Sequence, residues 1–227
     1  MSEEGTKNFS GLLVECPDHR IVREDLNACR GLSFRGQYVG HWEQFTYDSH
    51  APLAGEDPRI IAPPYKYRIL VRRSGTRLLL MANHKEVALH VLEHLQPLFH
   101  PRLRGVAIGV DQLVKGLTQK PTSYVLSFAH ARVPAFGAVL RAISFYGDDI
   151  GDAPLFRQQM NLMVFYTCGL REARGGNEIL RLGSDGSVSF FLYSPAKALE
   201  VEEVLRFLRT SGYLTTDIVG ESPEGAG

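Results

Sequence analysis

The sequence predicts an α+β protein built on a curved, mainly antiparallel sheet with helices on one face. Segments with strand character follow one another in hairpin order, with turn residues between them. The chain shows no alternating strand–helix–strand pattern, and no glycine-rich phosphate loop follows a predicted strand. Its 227 residues, 44% hydrophobic and 22% charged, suit a globular chain that folds without a metal or a disulfide.

The first 64 residues predict small elements followed by a loop. Residues 12–16 have the composition of a short strand, and the apolar spacing of residues 21–29 suits a short helix. The aromatic stretch 34–47 predicts two strands or one hairpin. Prolines and glycines in residues 48–64 predict a loop or linker. We therefore expect residues 1–64 to form an N-terminal segment with a helix, a hairpin and a proline-rich loop.

Residues 65–100 predict a β-hairpin followed by a helix. Apolar and basic side chains alternate over the first nine residues, Ser74-Gly75 is a turn signal, and an apolar strand returns over 77–81. Asn83 is expected to cap a helix over 84–99, whose apolar residues recur with helical spacing.

Residues 177–211 predict a second unit of the same kind. Two strands flank an Asp185-Gly186 turn, and Ser194 is expected to cap a helix that has Pro195 at its first position. Two explanations fit the similarity: a degenerate internal duplication giving two ββα repeats, or two unrelated hairpin–helix units, which are common.

Between these units, the sequence predicts the central strands of the sheet within 104–172. A strand at 105–110 and a short helix at 111–117 come first. Three longer strands are expected at 123–133, 139–146 and 161–170. The last is apolar on both faces, which is typical of a central covered strand. We thus expect a main domain over 65–217, followed by a disordered tail at 218–227.

Charge and cysteine content limit the classes of function. The formal net charge is zero, so binding to a polyanion requires a local basic patch. Cys16, Cys29 and Cys168 form no C-x-x-C pair, which predicts reduced, buried thiols. No apolar run approaches the roughly 20 residues of a membrane helix, and the first residues are polar and acidic. We therefore expect a cytoplasmic protein with no membrane partner.

Basic and aromatic residues cluster on the hairpin predicted at 65–81. The cluster consists of Tyr65, Lys66, Tyr67, Arg68, Arg72, Arg73 and Arg77. Such residues pair with phosphates and stack on bases, and Arg and Tyr are also favoured in protein interfaces. Alternatively, outward charges on an edge hairpin only prevent strand addition by another chain. We expect a non-catalytic binding or adaptor module without a cofactor, whose partner is a protein or a nucleic acid.

A zinc-dependent hydrolase is the alternative hypothesis. His90, Glu93 and His94 form an H-x-x-E-H pattern on a predicted helix, so both imidazoles emerge on one side at a spacing that holds zinc. The pattern resembles the signature of the inverzincin (pitrilysin-like) metalloproteases. That resemblance covers five residues, and it implies a downstream glutamate as third ligand, for which Glu172 has a plausible separation. We prefer the binding module because the sequence offers no complete catalytic set.

Overall fold

The protein is an α+β molecule with one large antiparallel sheet, as the sequence predicted, and the sheet does not close. The helices lie on both sides of the sheet and not on one face as expected. The computed structural model describes residues 7–49, 65–99, 102–119, 122–134, 142–192 and 194–215. The greater part of the proline-rich stretch 48–64 and the predicted tail 218–227 lie outside these described residues.

Thirteen strands and five α-helices make up the described chain. The strands are β1 (Lys7–Glu15), β2 (Leu32–Val39), β3 (Trp42–Ser49), β4 (Tyr65–Ser74), β5 (Arg77–Ala82), β6 (Arg104–Gly105), β7 (Ala107–Ile108), β8 (Tyr124–Arg132), β9 (Ala142–Tyr146), β10 (Val164–Glu172), β11 (Leu180–Gly183), β12 (Ser187–Leu192) and β13 (Leu214–Thr215). The helices are α1 (Arg23–Asn27), α2 (Lys85–Leu95), α3 (Val110–Gln119), α4 (Pro154–Gln159) and α5 (Pro195–Thr210).

The strand order of the large sheet is β2-β3-β4-β5-β1-β12-β11-β10-β8-β9, with β6 also beside β1. The N-terminal strand β1 is therefore central: it pairs antiparallel with β5 on one edge and with β12 on the other. It divides the sheet into a first half, β2 to β5, and a second half, β8 to β12. Strands β7 and β13 form a separate two-stranded ladder.

The two sides of the sheet carry different cores. Along β5, Leu79 and Met81 point into a core shared with α3, α4 and α5, and we call this the α5 side. The alternate residues Leu78 and Leu80 point into a second core with α1 and α2, the α2 side. This alternation follows from the two-residue period of a strand. The first half is consequently covered on both sides near its centre.

In the second half, the hydrophobic core lies on the α5 side, although Phe128 on the opposite side is also only 7% exposed. The core residues are Leu126, Ala129, Ala131, Phe165, Cys168, Leu170, Leu180, Leu182, Val188, Phe190 and Leu192. The residues that point the opposite way are mostly polar or aromatic, and the buried residues of all five described helices belong to the two cores. Within the described chain, no helix covers this opposite side, which we call the open face.

Both hairpin–helix units predicted from the sequence are present, as β4-β5-α2 and β11-β12-α5. Gly75 and Gly186 have φ values of 63° and 82°, the left-handed geometry that their turns need. Ser194 is the residue before α5 and Pro195 is its first residue, as predicted. That the units arose by duplication stays a prediction.

The prediction that Asn83 caps α2 is wrong. Helix α2 begins at Lys85, and the backbone carbonyl of His84 accepts the first helical hydrogen bonds, from the N–H groups of Val87 and Ala88. Asn83 therefore lies one residue outside the cap position. The helix also ends at Leu95, because the chain continues in a 3-10 turn that contains a proline.

The prediction that β10 is covered on both faces is also wrong. Val164 is 51% exposed, and Tyr166 and Thr167 are only half-buried, because this side of the strand belongs to the open face. The predicted strand at 105–110 is two short pieces, β6 and β7. Helix α4 and strand β13 were not predicted.

The described helices and cysteines bear on two further expectations. None of these helices has the length and apolarity that crossing a bilayer requires. Cys16, Cys29 and Cys168 are buried and form no disulfide, as expected. Burial raises the pKa of the Cys29 thiol to about 11 and that of Cys168 to about 12, where the Glu178 charge adds to the effect.

Candidate functional site

The open face of the second half presents an aromatic cluster that spans three strands. Phe128 and His130 alternate on β8, Tyr146 ends β9, and Tyr166 lies on β10. Alternate residues of β8, such as Ala129, point into the α5-side core, which fixes the direction of these aromatic side chains. The strand period therefore builds a surface from residues that are distant in sequence.

The aromatic side chains contact one another across the strands. The ring centroids of Phe128 and Tyr146 are 4.9 Å apart, and those of His130 and Tyr166 are 4.6 Å apart at nearly right angles. Phe128 and His130 are 6.4 Å apart along β8. His130 Nδ1 also bonds the Ser144 hydroxyl on β9, at 2.5 Å. The cluster is a connected layer, held in place by cross-strand pairs.

Two arginines extend this layer. The Arg132 guanidinium lies 5.7 Å from the centre of the Tyr166 ring, and the Arg181 guanidinium lies 4.7 Å from the centre of Phe128. Arg181 Nε also donates to Glu178 Oε1 at 2.7 Å. Arg132 is exposed and makes no ion pair among the described residues. Its positive charge is therefore available to a ligand.

The open face is accessible and has hydroxyl groups along a groove. Tyr146 is 69% exposed and Phe191 on β12 is 52% exposed, whereas Phe128 is only 7% exposed, with Tyr146 and Arg181 packed against its ring. A groove of about 310 Å³ adjoins Phe128 and Arg181. Its polar lining residues are Ser10, Lys85, Thr167, Arg181, Ser187 and Ser189. A surface of this kind can stack planar groups and hydrogen-bond polar ones.

The predicted binding hairpin is not an edge of the sheet. Strand β4 pairs with β3 on one side and with β5 on the other. Its basic residues consequently point to both sides: Arg68 and Arg72 to the α5 side, and Arg73 with Tyr67 to the α2 side. Lys66 is exposed at the start of the strand, which Tyr65 begins. The structure therefore does not gather these residues on one surface, and their binding of a partner stays a prediction.

Three arginines of the hairpin contact internal carboxylates. Arg73 donates to both oxygens of Glu43, at 2.9 and 3.0 Å, and Arg23 donates to the same carboxylate. Arg72 lies 3.4 Å from Glu202 on α5, and Arg77 lies 3.5 Å from Glu15 on β1. Arg68 stacks over Tyr38 at 4.8 Å.

Glu43 is a buried charge with two arginine partners. Burial alone would raise the pKa of its carboxyl group, but the hydrogen bonds and charges of Arg73 and Arg23 outweigh burial and lower that pKa. Only 4% of the residue is exposed, so the ionised carboxylate depends on these two partners. This cluster ties α1 to β3 and β4.

The predicted zinc ligands do not converge in the structure. His90 and His94 lie one turn apart on α2, with ring centroids 4.3 Å apart, and Glu93 Oε2 is 3.6 Å from His90 Nδ1. His94 Nδ1 bonds the Tyr47 hydroxyl at 3.1 Å. Glu172 ends β10 in the second half, whereas α2 packs on β1 and β5. Among the described residues, no three His, Cys, Asp or Glu side chains are grouped to hold a metal ion.

Sequence reasoning missed the open face. A signal was present, because Phe128, His130 and Arg132 alternate with alanines, and Ser144 and Tyr146 alternate with the apolar Ile143 and Phe145. That pattern is typical of a strand with one uncovered side. The pairing of β8 with both β9 and β10, which assembles the surface, is not readable from either segment alone.

Comparisons with known proteins give this chain no family. No protein-family model matches the sequence, and no curated protein matches it.

Proposed function

We propose that this protein is a non-catalytic binding module and that its open face holds single-stranded nucleic acid. The observation that carries the proposal is a connected layer in which the buried Phe128 supports the exposed Tyr146 beside the half-buried His130 and Tyr166; Arg132 and Arg181 border it. Bases of a single strand stack on aromatic side chains of an uncovered sheet, while guanidinium groups contact the backbone phosphates.

The polarity of the open face favours nucleic acid over a protein partner. The centre of a protein interface is enriched in apolar side chains that exclude water. Here the exposed apolar side chains Val164 and Phe191 lie on different strands, and serine and threonine hydroxyls line the groove. Polar, wet surfaces with arginine are typical of nucleic-acid interfaces. A duplex would hide the base faces that this layer is built to contact.

The cations near the aromatic layer also favour a nucleic-acid partner, although the net charge of the whole chain is zero. Arg132 lacks a carboxylate partner in the described chain, and Lys85 at the edge of the groove is 3.6 Å from an Asp185 carboxylate that is 61% exposed. Both cations that line the groove, Lys85 and Arg181, are paired with carboxylates, so the unpaired charge beside the aromatic layer is that of Arg132. We place this function in the cytoplasm, because three buried cysteines that form no disulfide suit a reducing compartment.

Fluorescence anisotropy with labelled oligo-dT and oligo-U of about 16 nucleotides tests the proposal. We expect both oligonucleotides to bind, with an affinity that falls as salt rises. The substitution Tyr146→Ala should weaken binding at least about fivefold, the lower end of the contribution of one stacked base. Arg132→Ala should weaken binding and also reduce the slope of log affinity against log salt.

Leu155→Ala is the matched control, because Leu155 is 66% exposed on α4, and α4 packs on the opposite side of the sheet. It should bind as the unsubstituted protein does. Binding that Tyr146→Ala and Arg132→Ala leave unchanged would contradict the proposal. If duplex DNA competed for the site as well as the single strand does, that result would also contradict the proposal, because paired bases cannot stack on this layer.

A further inference from the structure

A second candidate site lies on the other side of the sheet, between the β4–β5 turn and α5. This cleft has a volume of about 700 Å³, within the size range of sites for small ligands. Its walls come from the turn residues Ser74, Gly75 and Thr76, and from α5 residues with helical spacing, among them Leu205. We call it the α5 cleft. It shares no lining residue with the groove of the open face.

Positive charge converges on the α5 cleft. The cleft is lined by four arginines, Arg72, Arg77, Arg206 and Arg209. Its lining contains two carboxylates, those of Glu15 and Glu202. Four positive and two negative groups leave a surplus of two positive charges. The C-terminal end of α5 adds only about half a negative charge. The cleft is therefore an electropositive site in a chain of zero net charge.

The two carboxylates already have partners. Glu202 Oε1 lies 3.4 Å from Arg72 Nη2 and 3.7 Å from His41 Nε2. Glu15 Oε1 lies 3.5 Å from Arg77 Nε and accepts a hydrogen bond from the Thr76 hydroxyl at 2.9 Å. These arginine contacts are long for charged hydrogen bonds, so both guanidinium groups keep donors for a further acceptor.

The remaining cations have no such partner. Arg206 and Arg209 are exposed on consecutive turns of α5 and make no ion pair within the described part of the chain. In addition, the Nε atom of Arg72 is buried and lacks a hydrogen-bond acceptor there. Arg206 and Arg209 are therefore the cations of the cleft that no described carboxylate neutralises.

We infer that the α5 cleft binds a small phosphate-bearing ligand through Arg72, Arg77, Arg206 and Arg209. Guanidinium groups match phosphate oxygens in pairs, and a doubly charged phosphate balances the surplus of two. The volume exceeds that of inorganic phosphate and accommodates a diphosphate or a nucleotide. Phosphates of a nucleic-acid strand share this chemistry, so the test separates the two sources.

Isothermal titration calorimetry with inorganic pyrophosphate, at constant ionic strength, measures this binding directly. We expect saturable binding of one pyrophosphate per chain. The double substitution Arg206→Glu with Arg209→Glu should weaken it at least about tenfold, because it removes two cations and adds two anions. Both side chains are exposed, so the variant should keep the fold, which circular dichroism checks.

Arg102→Glu with Arg174→Glu is the matched control. Both residues are exposed and do not line the α5 cleft, and the net charge changes by the same amount. The pyrophosphate affinity of this control variant should stay within about twofold of that of the unsubstituted protein. Equal losses in the two double variants would overturn the inference, because they would report net charge alone. Absence of saturable binding to the unsubstituted protein would also overturn it.

The oligonucleotides separate the two phosphate sources. If the ligand is small, the Arg206→Glu and Arg209→Glu variant loses pyrophosphate while its oligo-dT affinity changes no more than that of the charge-matched control. Tyr146→Ala should do the reverse. If the cleft variant loses more oligo-dT affinity than the charge-matched control does, the small-ligand inference is overturned. The cleft would then bind the nucleic-acid backbone. Pyrophosphate binding with no oligonucleotide binding would reject only the proposed function.

Discussion

Strands β4 and β5 in the first half of the sheet contribute to a hydrophobic core on both sides, whereas β8 and β10 in the second half contribute to a core on one side only. The basic residues differ accordingly. Arg72 and Arg73 in the first half contact the buried carboxylates Glu202 and Glu43. Arg132 in the second half has no ion-pair partner within the described chain. Arginines therefore contact internal carboxylates in the first half, whereas Arg132 in the second half remains available to a ligand.

This difference shows why a cluster of basic residues in a sequence does not by itself define a binding surface. Position in the sheet decides whether a cation meets water or an internal carboxylate. A strand between two others, with a helix on each side, leaves little room for exposed charge. An uncovered side exposes every second residue of several strands at once.

The largest effect should follow a cavity in the doubly covered half. Trp42 is fully buried, and its indole N–H donates to the Ala198 carbonyl on α5 at 3.0 Å. Trp42→Ala should lower the free energy of unfolding by about 3–5 kcal/mol, through lost burial and the cavity left behind. Urea denaturation measures this value.

Phe191→Ala provides the comparison from the open face. Because Phe191 is already 52% exposed, its loss should cost only about 1 kcal/mol. Equal losses for Trp42→Ala and Phe191→Ala would mean that the open face is covered in solution, and would remove the contrast between the halves.

A smaller effect should follow Glu43→Gln, because it removes the charge that Arg23 and Arg73 share. We expect a loss of about 1.5–3 kcal/mol in the free energy of unfolding at neutral pH, the range for hydrogen bonds to charged groups. Denaturant titration of the variant and the unsubstituted protein gives the difference.

That difference should depend on pH. The folded-state pKa of Glu43 lies below its ordinary value of 4.5, so the ionised carboxylate stabilises the fold above pH 4.5. This contribution declines as the pH falls through the folded-state pKa. The two proteins should therefore converge in stability in acid. A difference that grows on acidification would contradict the arginine–carboxylate interpretation.

The smallest expected effect is a difference in local opening between the halves. Cys29 lies in the α2-side core, and Cys168 lies in the α5-side core of the second half. Both pKa values are raised, so neither thiol reacts with a thiolate-directed reagent at neutral pH unless the structure opens. Variants that keep one cysteine each, the others replaced by alanine, report each half separately.

We expect both thiols to label with a free energy close to that of global unfolding, because β1 is hydrogen-bonded to both halves. The free energies of opening reported by Cys29 and Cys168 should differ by less than about 1 kcal/mol, after correction for the stability of each variant. Much easier labelling of Cys168 would indicate that the singly covered half opens independently.

Local features of the fold could be predicted from the sequence, and long-range ones could not. The β4–β5 hairpin followed from alternation and from Ser74-Gly75, and the start of α5 followed from Ser194-Pro195. The interior position of β4 depends on β3, whose Glu43 pairs with Arg73 across 30 residues of sequence. No local pattern specifies such a partner.

The misreading of β10 has a physical cause. Strand β10 contains two register shifts relative to β8, and Tyr166 lies within the first of them, between Phe165 and Thr167. A bulge changes which residues share a side, so simple alternation fails there. The aromatic layer of the open face was therefore invisible as a unit, although its members on β8 alternate regularly.

The central position of β1 has a consequence for how the protein is made. Residues 7–15 are synthesised well before their partner strand β12, at Ser187–Leu192. Strand β5 can pair with one edge of β1 soon after it is synthesised. The other edge, which pairs with β12, remains unpaired for roughly 10–40 s at ordinary elongation rates. An exposed strand edge can pair with another chain. Nascent molecules of this protein thus pass through an association-prone interval, and slower elongation or premature termination before β12 lengthens it.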